Sequence, residues 1–317
     1  LKYNIDEETF LNLNFDRLAY SNYQPVNYDI NLSGFENNLI FTTTKESPFN
    51  ISVLSLDFER KFNGGIKYSG GIKAVDNEFT NRNDLISVEN IFSGFSNDSF
   101  LKENVLAAYS QINLNLSKKI ALQSGVRYEQ TITDINDLST NNLIVSRNYG
   151  DFFPSVYLGY KIDDINNINI SLSRRINRPA FTDLAPFTFF VDIDQAFQGN
   201  VELLPSYTNN IESSYRFKNF LFTAQYSEEK NVISGFQPQI DSETGFITII
   251  PRNLDKQKSA NIQLSYSAYP IQIWNLRVFS SYTYSKLEHQ LEDSFYSNSN
   301  SSVRITLNNS IELGNNF

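Results

Sequence analysis

A two-residue alternation of apolar and polar side chains recurs along this chain and constrains its fold more than any other feature. The clearest example spans residues 120–132, where one face carries Ile120, Leu122, Val126, Tyr128 and Ile132 and the other carries Gln123, Arg127, Glu129 and Thr131. Residues 261–268 and 303–313 repeat the pattern. Because the helical period of 3.6 residues hardly appears, the alternation predicts strands with one apolar face and one polar, charged face.

This criterion predicts about twelve strands, each near the ~10 residues expected of a tilted strand that crosses a membrane. The predicted strands occupy residues 9–20, 51–61, 64–75, 103–115, 119–132, 151–162, 166–176, 206–217, 219–238, 245–269, 274–288 and 301–313. Most connections alternate between long and short, beginning with 21–50, 61–63, 76–102 and 117–118. Tight periplasmic turns and long extracellular loops are typical of outer-membrane barrels. We therefore predict an all-β, antiparallel transmembrane barrel in the bacterial outer membrane.

The composition agrees with strands that cross a membrane. No apolar run approaches the ~20 residues of a membrane-spanning helix, and the mean hydropathy is −0.35. Aromatic residues make up 14 % of the chain and cluster near predicted strand ends, as in an interfacial girdle. The high β propensity of Tyr and Phe is an alternative explanation. The absence of cysteine excludes disulfides and thiolate sites. The net charge of −9 argues against nucleic-acid binding.

Two segments carry recognisable motifs. Residues 173–181 read SRRINRPAF, and residues 199–210 read GNVELLPSYTNN. Both closely resemble signatures in the barrel domain of a TonB-dependent receptor family common in Bacteroidota, although Leu204 and Ser206 replace the usual Lys and Glu. The residues that carry the resemblance are Arg174, Arg175, Asn177, Arg178, Pro179, Gly199, Asn200, Pro205 and Tyr207. They mark barrel architecture and do not indicate a substrate.

The resemblance implies a larger parent protein. Such receptors have an N-terminal plug inside a barrel of about 22 strands, and a TonB complex supplies energy from the inner membrane. A dozen strands cannot close that barrel, so we expect an open, strongly curved sheet with two unpaired edges. Residues 1–317 are then a partial barrel domain, and we expect the signal peptide, the plug and further C-terminal strands to lie outside them.

Charged residues on the predicted polar faces are the candidates for contact with a plug or a passing substrate. These lumen-facing candidates are Arg127, Glu129, Arg277, Arg304 and Glu312. The alternative is that they only neutralise one another in a wet interior, because the interior of such a barrel is polar in any case.

Catalytic, metal and cofactor sites have no support in the sequence. His289 is the only histidine, so it lacks a partner for a metal pair, and a solvated loop position is expected. Two pairs of aspartates, Asp192 with Asp194 and Asp163 with Asp164, could suggest calcium binding. Neither pair has the spaced series of oxygen ligands that a calcium loop requires, so we expect these aspartates to cap turns. The glycine pairs 64–65 and 70–71 precede no helix, so they favour turns or strand curvature over phosphate binding. We therefore expect that the protein is not an enzyme.

Three hypotheses of function remain. The first is a TonB-dependent transporter for a scarce nutrient. The nutrient classes left open are siderophores, oligosaccharides, peptides and cobalamin. The expected partners of this transporter are membrane lipid, its own plug and the TonB complex. The second is a barrel without transport, such as an adhesin or a porin-like channel. The third is a soluble extracellular β-sandwich, which would bury apolar faces between two packed sheets.

Overall fold

The computed structural model describes residues 1–30, 39–87, 97–186, 188–192, 194–291 and 294–311. It contains one short helix, α1, at Phe181–Leu184. The strands are β1 Lys2–Asn4, β2 Thr9–Tyr20, β3 Tyr23–Ile30, β4 Leu39–Glu46, β5 Phe49–Phe62, β6 Ile66–Ser87, β7 Asn97–Asn115, β8 Ile120–Asp137, β9 Asn142–Lys161, β10 Asn166–Asn177, β11 Thr188–Asp192, β12 Gln195–Gln198, β13 Ser206–Phe217, β14 Phe220–Ile240, β15 Ile247–Ile271, β16 Trp274–Leu291 and β17 Ser294–Ile311. No described helix is long and apolar enough to span a membrane.

The long strands form one antiparallel wall. The pairing runs β2–β5–β6–β7–β8–β9–β10–β13–β14–β15–β16–β17. Each of the twelve predicted segments coincides with one of these strands, so the prediction of an all-β antiparallel wall is confirmed. All seventeen strands of the described residues belong to one sheet, whereas the soluble sandwich would have two packed sheets.

The wall does not close on itself. Among the described residues, β17 pairs only with β16, and the far side of β2 carries only the three-residue strand β1. Nearly every residue of β17 is exposed as a result. The expected open sheet with two edges is therefore confirmed.

Five shorter strands fall outside the segments that the sequence predicts as strands. They are β1, β3, β4, β11 and β12. The β3–β4 hairpin joins the wall through β4 and β6, and β12 runs parallel to β15. Pro25 lies within β3, and a proline ordinarily argues against a strand in a sequence. The predicted loops 76–102 and 133–150 were also too long, because β6 continues to Ser87 and β9 begins at Asn142.

The two faces of the wall differ in chemistry over the predicted membrane band. One face exposes large apolar side chains, including Ile72, Leu106, Val126, Ile262 and Val303. An apolar surface of this extent marks contact with a membrane. The opposite face carries amides and hydroxyls joined across strands, with Gln225 to Asn210 at 2.8 Å, and Asn261 to Thr283 at 2.6 Å. We call these surfaces the apolar face and the polar face.

A small apolar core interrupts the polar face at the long-loop end. Five side chains stand opposite one another across β5 to β9, namely Phe49, Phe79, Leu101, Ile135 and Val145. This cross-strand row packs against Phe181, Leu184, Ala185, Val201 and Leu203 from the connection between β10 and β13. We name that connection, residues 178–205, the inner loop. Its apolar side chains cover the row, which explains why the row sits on the polar side of the strands.

Candidate ligand site at the long-loop end

The inner loop begins where two strands of the wall separate. Pairing of β9 with β10 ends at Ser155 and Ser173. Beyond that point β8 stays paired with β9, and β10 stays paired with β13 up to Asn177 and Ser206. The strands thus diverge at the long-loop end, and the chain leaves β10 beside this opening.

Arg178 anchors the start of the inner loop to β8. Its Nη2 donates to Glu129 Oε2 at 2.7 Å and to Thr131 Oγ1 at 2.8 Å. Arg127 Nε donates to the other carboxylate oxygen of Glu129 at 2.5 Å. The Glu129 side chain is only 12 % exposed. A carboxylate shielded from water in this way depends on its two guanidinium partners.

A second ion pair bridges the opening between the strands. Asp151 on β9 accepts from Arg174 Nη2 at 3.2 Å and from the Tyr207 hydroxyl at 2.6 Å. The Arg174 guanidinium also lies 5.0 Å from the centre of the Tyr207 ring, a cation–π contact. These three side chains tie β9, β10 and β13 together where backbone pairing between β9 and β10 has ended.

The return half of the inner loop is held mainly through its backbone. Arg147 donates to the carbonyl oxygens of Val201 and Leu203. Asn253 on β15 donates to the Leu204 carbonyl at 2.8 Å and accepts from the Leu204 amide at 2.7 Å. Asn200 Nδ2 donates to the Pro251 carbonyl at 2.9 Å. Side chains thereby satisfy the backbone groups of residues 201–204, a segment without regular secondary structure.

Gly199 permits the loop to close on itself. A Cβ at this position would lie 1.9 Å from the carbonyl oxygen of Ala185, far inside van der Waals contact. The backbone approach therefore requires glycine. Pro205 is buried, whereas Arg175 and Asn177 are exposed on β10. The motif residues thus divide into those that hold the inner loop and those that only continue the strand.

A pocket of about 440 Å³ lies between the inner loop and two other connections. Its lining residues are Gln24 and Lys45 from the β3–β4 hairpin, Thr182, Asp183, Phe197, Gln198 and Gly199 from the inner loop, and Gly235, Ile249 and Pro251 from β14 and β15. Gln24 and Lys45 stand opposite each other in the hairpin. Such a volume suits a small organic ligand.

Both ionisable groups of the pocket are partly removed from water. Burial raises the pKa of the Asp183 carboxyl, and a backbone hydrogen bond at Ala180 opposes the shift. Burial lowers the pKa of the Lys45 ammonium. Charges that have lost part of their hydration interact more strongly with a bound partner than charges in open solvent. The pocket therefore offers one cationic and one anionic contact beside the Phe197 ring.

The predicted lumen-facing residues do not form one cluster. Arg127 and Glu129 meet Arg178 beneath the inner loop. Arg277 and Arg304 lie on β16 and β17, on the strand face that also carries Thr283 and Ser281. Glu312 lies outside the described residues. Their contact with a plug or a substrate stays a prediction.

Several residues weighed as possible metal or turn positions have structural roles. Asp163 Oδ1 accepts from the Ile165 amide at 2.9 Å, so it caps a tight turn as predicted. Gly64 adopts a positive φ of 79° in another tight turn. His289 is not the solvated loop residue that the sequence predicts, because it lies in β16 with its side chain 24 % exposed and 3.9 Å from Asp255. Among the described residues, no group of three or more His, Cys, Asp and Glu could hold a metal.

The sequence did not predict the row at Phe79, Leu101 and Ile135, or the pocket above it. The signal would have required longer predicted strands, because each of these apolar residues occupies a polar-face position only once its strand extends beyond the predicted bounds. An apolar residue on a polar face predicts a covering element. Nothing in the sequence, however, identifies the inner loop as that element.

One apolar face, one polar face and connections gathered at one end define a membrane-spanning β-barrel wall. The chain belongs to the outer membrane protein β-barrel family, whose model matches residues 3–317. It is therefore a protein of the bacterial outer membrane. No curated protein sequence matches it.

Solved structures with a similar fold include uptake and import receptors. The ferric yersiniabactin uptake receptor FyuA of Yersinia pestis matches with a TM-score of 0.54 and 12 % identity, over 97 % of this chain and 51 % of the receptor. The ferric-catecholate import receptor Fiu of E. coli K12 matches with a TM-score of 0.57 and 11 % identity, over 92 % of this chain and 50 % of the receptor. The ferripyoverdine receptor of Pseudomonas aeruginosa matches with a TM-score of 0.55 and 12 % identity, over 96 % of this chain and 48 % of the receptor. This chain spans about half the length of these receptors, and the likeness shows a shared fold, as the motif resemblance implied.

Proposed function

We propose that this chain forms part of the wall and of the outer ligand site of a TonB-dependent transporter that takes up a scarce nutrient. The observation that carries the proposal is the inner loop, which Arg178, Arg147 and Asn253 hold at the long-loop end of the polar face. A connection held in this position supplies a fixed wall for the pocket. Such a wall suits capture of a solute better than free diffusion through an open pore.

The fold of the solved uptake receptors supports a receptor over a simple channel. In the proposal, the plug, the segment that contacts TonB and the remaining strands belong to parts of the parent protein outside residues 1–317. The parent moves the plug with energy relayed from the inner membrane, and these residues contribute wall and loops.

The chemistry of the pocket narrows the class of ligand. Lys45 and Asp183 favour a molecule with groups of both charges, and Phe197 favours an aromatic or apolar part. A charged metal chelate or a short peptide satisfies these contacts better than a neutral oligosaccharide. The volume of about 440 Å³ accommodates part of such a molecule.

Uptake by cells that carry the full-length parent protein tests this proposal. Labelled ferric chelates and labelled short peptides are supplied at limiting concentration, with and without an uncoupler of the proton gradient. We expect energy-dependent accumulation of one class. We also expect the double variant K45Q/D183N to raise KM at least tenfold.

Lys102→Gln is the matched control, because it removes a cation that lies on the apolar face, away from the pocket. It should leave KM unchanged. If the labelled solute accumulates equally with and without the uncoupler, the parent protein is a porin-like channel. If the solute binds but does not accumulate, the parent protein is an adhesin. An unchanged KM in K45Q/D183N would remove the pocket from the proposal and leave transport standing.

A further inference from the structure

Four lysines gather on neighbouring strands at the long-loop end of the wall. Lys230 on β14 stands opposite Lys256 on β15, and Lys258 on β15 stands opposite Lys286 on β16. Glu228 and Glu288 occupy the remaining positions of the same two cross-strand rows. We name the four lysines the lysine cluster.

The lysine cluster lies on the apolar face. The row next to it consists of Tyr226, Ala260 and Tyr284, which stand opposite one another on the three strands. Tyr226 and Tyr284 are exposed, as membrane-facing side chains are. Because side chains alternate between faces, residues two positions further along each strand share that face. The ammonium groups therefore point outward, toward lipid, and away from the barrel interior.

The position along the strands places the cluster at the membrane surface. Eleven residues run from Trp274 to Tyr284 along β16, with mainly apolar and aromatic residues on the outward face, and Lys286 is the next outward residue. A tilted strand needs about 9–11 residues to cross the hydrocarbon of a bilayer. Aromatic side chains mark the interface. The cluster therefore begins where lipid headgroups begin, on the outer side.

The charge of this region is opposite to that of the whole chain. Four ammonium groups against two carboxylates leave a local charge of +2, in a chain whose net charge is −9. Lys256 pairs with Glu228 at 2.8 Å, and Lys286 pairs with Glu288 at 2.6 Å. Within the part of the chain that the structure describes, Lys230 and Lys258 make no ion pair. Two ammonium groups are thus available to an external anion.

Hydroxyl groups border the cluster on the next strand. Ser299 stands opposite Lys286, and Ser297 stands opposite Glu288. Both serines are exposed on β17. Ammonium and hydroxyl donors on one surface match the acceptor oxygens of a phosphate group.

The corresponding height on β6 and β7 has the opposite character. There Lys102 pairs with Glu78 at 3.1 Å and lies 3.7 Å from Asp76, so a single cation faces two carboxylates. Between 10 and 13 residues of strand separate these side chains from the short-turn end, and the side chains share the face of Leu106. The lysine cluster is therefore a local feature and does not run along the whole rim.

We propose that the lysine cluster binds the phosphate groups of lipid headgroups in the outer leaflet. The two unpaired ammonium groups contact the phosphate, and the tyrosine row below them packs against the acyl chains. Each basic residue near an anionic lipid surface strengthens binding by about fivefold. Screening by salt weakens the interaction.

Native mass spectrometry of the full-length parent protein in neutral detergent tests the proposal. The probe is a short-chain phosphatidic acid titrated into the micelles, with phosphatidylcholine of the same chain length for comparison. We expect phosphatidic acid to bind preferentially and K230Q/K258Q to bind it about 25-fold more weakly. Lys102→Gln, which removes a paired cation at the same height, should bind it as the wild type does.

If K230Q/K258Q does not fold, a second variant tests whether the lysine cluster binds phosphatidic acid. Glu228→Gln with Glu288→Gln frees Lys256 and Lys286 from their internal partners, so we expect tighter binding of phosphatidic acid. Equal binding of both lipids, or unchanged affinity in either double variant, would overturn the proposal. Displacement of the lipid by an equal concentration of inorganic phosphate would also overturn it, since it would indicate a free-anion site.

Discussion

The β5–β9 side of the wall and the β14–β17 side follow the same alternation, yet they differ on both faces. On the polar face, β5–β9 carry the apolar row and the Arg127–Glu129–Arg178 cluster that hold the inner loop, whereas β14–β16 carry uncharged amides such as Gln225 and Asn261. On the apolar face at the outer edge, β6–β7 are acidic and β14–β16 are basic. One sheet therefore combines a side that anchors the inner loop on its polar face with a side that carries a basic cluster at the outer edge of its apolar face.

The largest expected effect comes from breaking the ion cluster on the first side. Arg178→Ala removes two charge-assisted hydrogen bonds, one to the shielded Glu129 carboxylate and one to Thr131, which together contribute about 3–5 kcal/mol. Arg277→Ala, on the exposed polar face of β16, should change stability by less than about 1 kcal/mol. Guanidinium chloride unfolding in detergent measures both. Equal shifts of the two midpoints would remove the distinction between the two sides.

Truncation in the apolar core should have the next largest effect. Leu184→Ala deletes a fully buried side chain that covers the row, which costs about 2–5 kcal/mol locally. Hydrogen exchange should show faster opening of the inner loop with little change in β14–β17. Leu264→Ala, a truncation on the apolar face, serves as the control and should leave the exchange of the inner loop unaltered. Loss of protection throughout the wall would mean that the inner loop does not unfold separately.

A smaller effect is expected at Gly199, where the added methyl group meets backbone. Gly199→Ala should destabilise the inner loop by about 1–3 kcal/mol, because the Ala185 carbonyl has to move. Gly235 lines the same pocket, and a Cβ there meets nothing within 4 Å. Gly235→Ala is thus a matched control, which should retain the protease resistance of the inner loop while Gly199→Ala loses it. Equal resistance of the two variants would contradict the close approach.

The smallest effects should appear in the dependence of stability on pH. Burial raises the pKa of Asp183 in the folded state, so its ionised form is unfavourable there and Asp183→Asn should stabilise at neutral pH. This gain should vanish below the unfolded pKa of 3.8, where the carboxyl is protonated in both states.

Asp241 should behave in the opposite way. Backbone hydrogen bonds from Thr244 and Glu243 lower the pKa of its carboxyl in the β14–β15 turn. Its contribution is present above 3.8 and is lost as the pH falls through the lower folded value, so Asp241→Asn should destabilise at neutral pH. Unfolding midpoints between pH 3 and 7 compare the two variants. Shifts of the same sign would contradict the assignment.

The membrane-crossing strands were predictable because their pattern is local. Val126 and Tyr128 face lipid while Arg127 and Glu129 face the interior, and the two-residue period alone predicts this division. Outside the membrane both faces of a strand meet water, so the alternation fades. The sequence therefore predicts loops at the β3–β4 hairpin and at the outer halves of β6 and β9.

The motifs were recognisable in the sequence, but their physical purpose was not. Arg174, Arg178, Gly199 and Tyr207 stand out as family signatures, whereas their partners Asp151, Glu129 and Ala185 lie 14 to 56 residues away. Contacts at such separations depend on how the strands are arranged in register. Arg147 and Asn253, which hold the return of the inner loop, belong to no recognised motif at all.

The sequence by itself determined the class of fold, the two faces of the wall and the end at which long connections gather. Each of these follows from the period of side chains along a strand and from the lengths of connections. Only the tertiary structure decided that residues 178–205 fold against the polar face and that four lysines from three strands meet at the outer edge. Both arrangements depend on register between strands and on burial, which bring together residues distant in sequence.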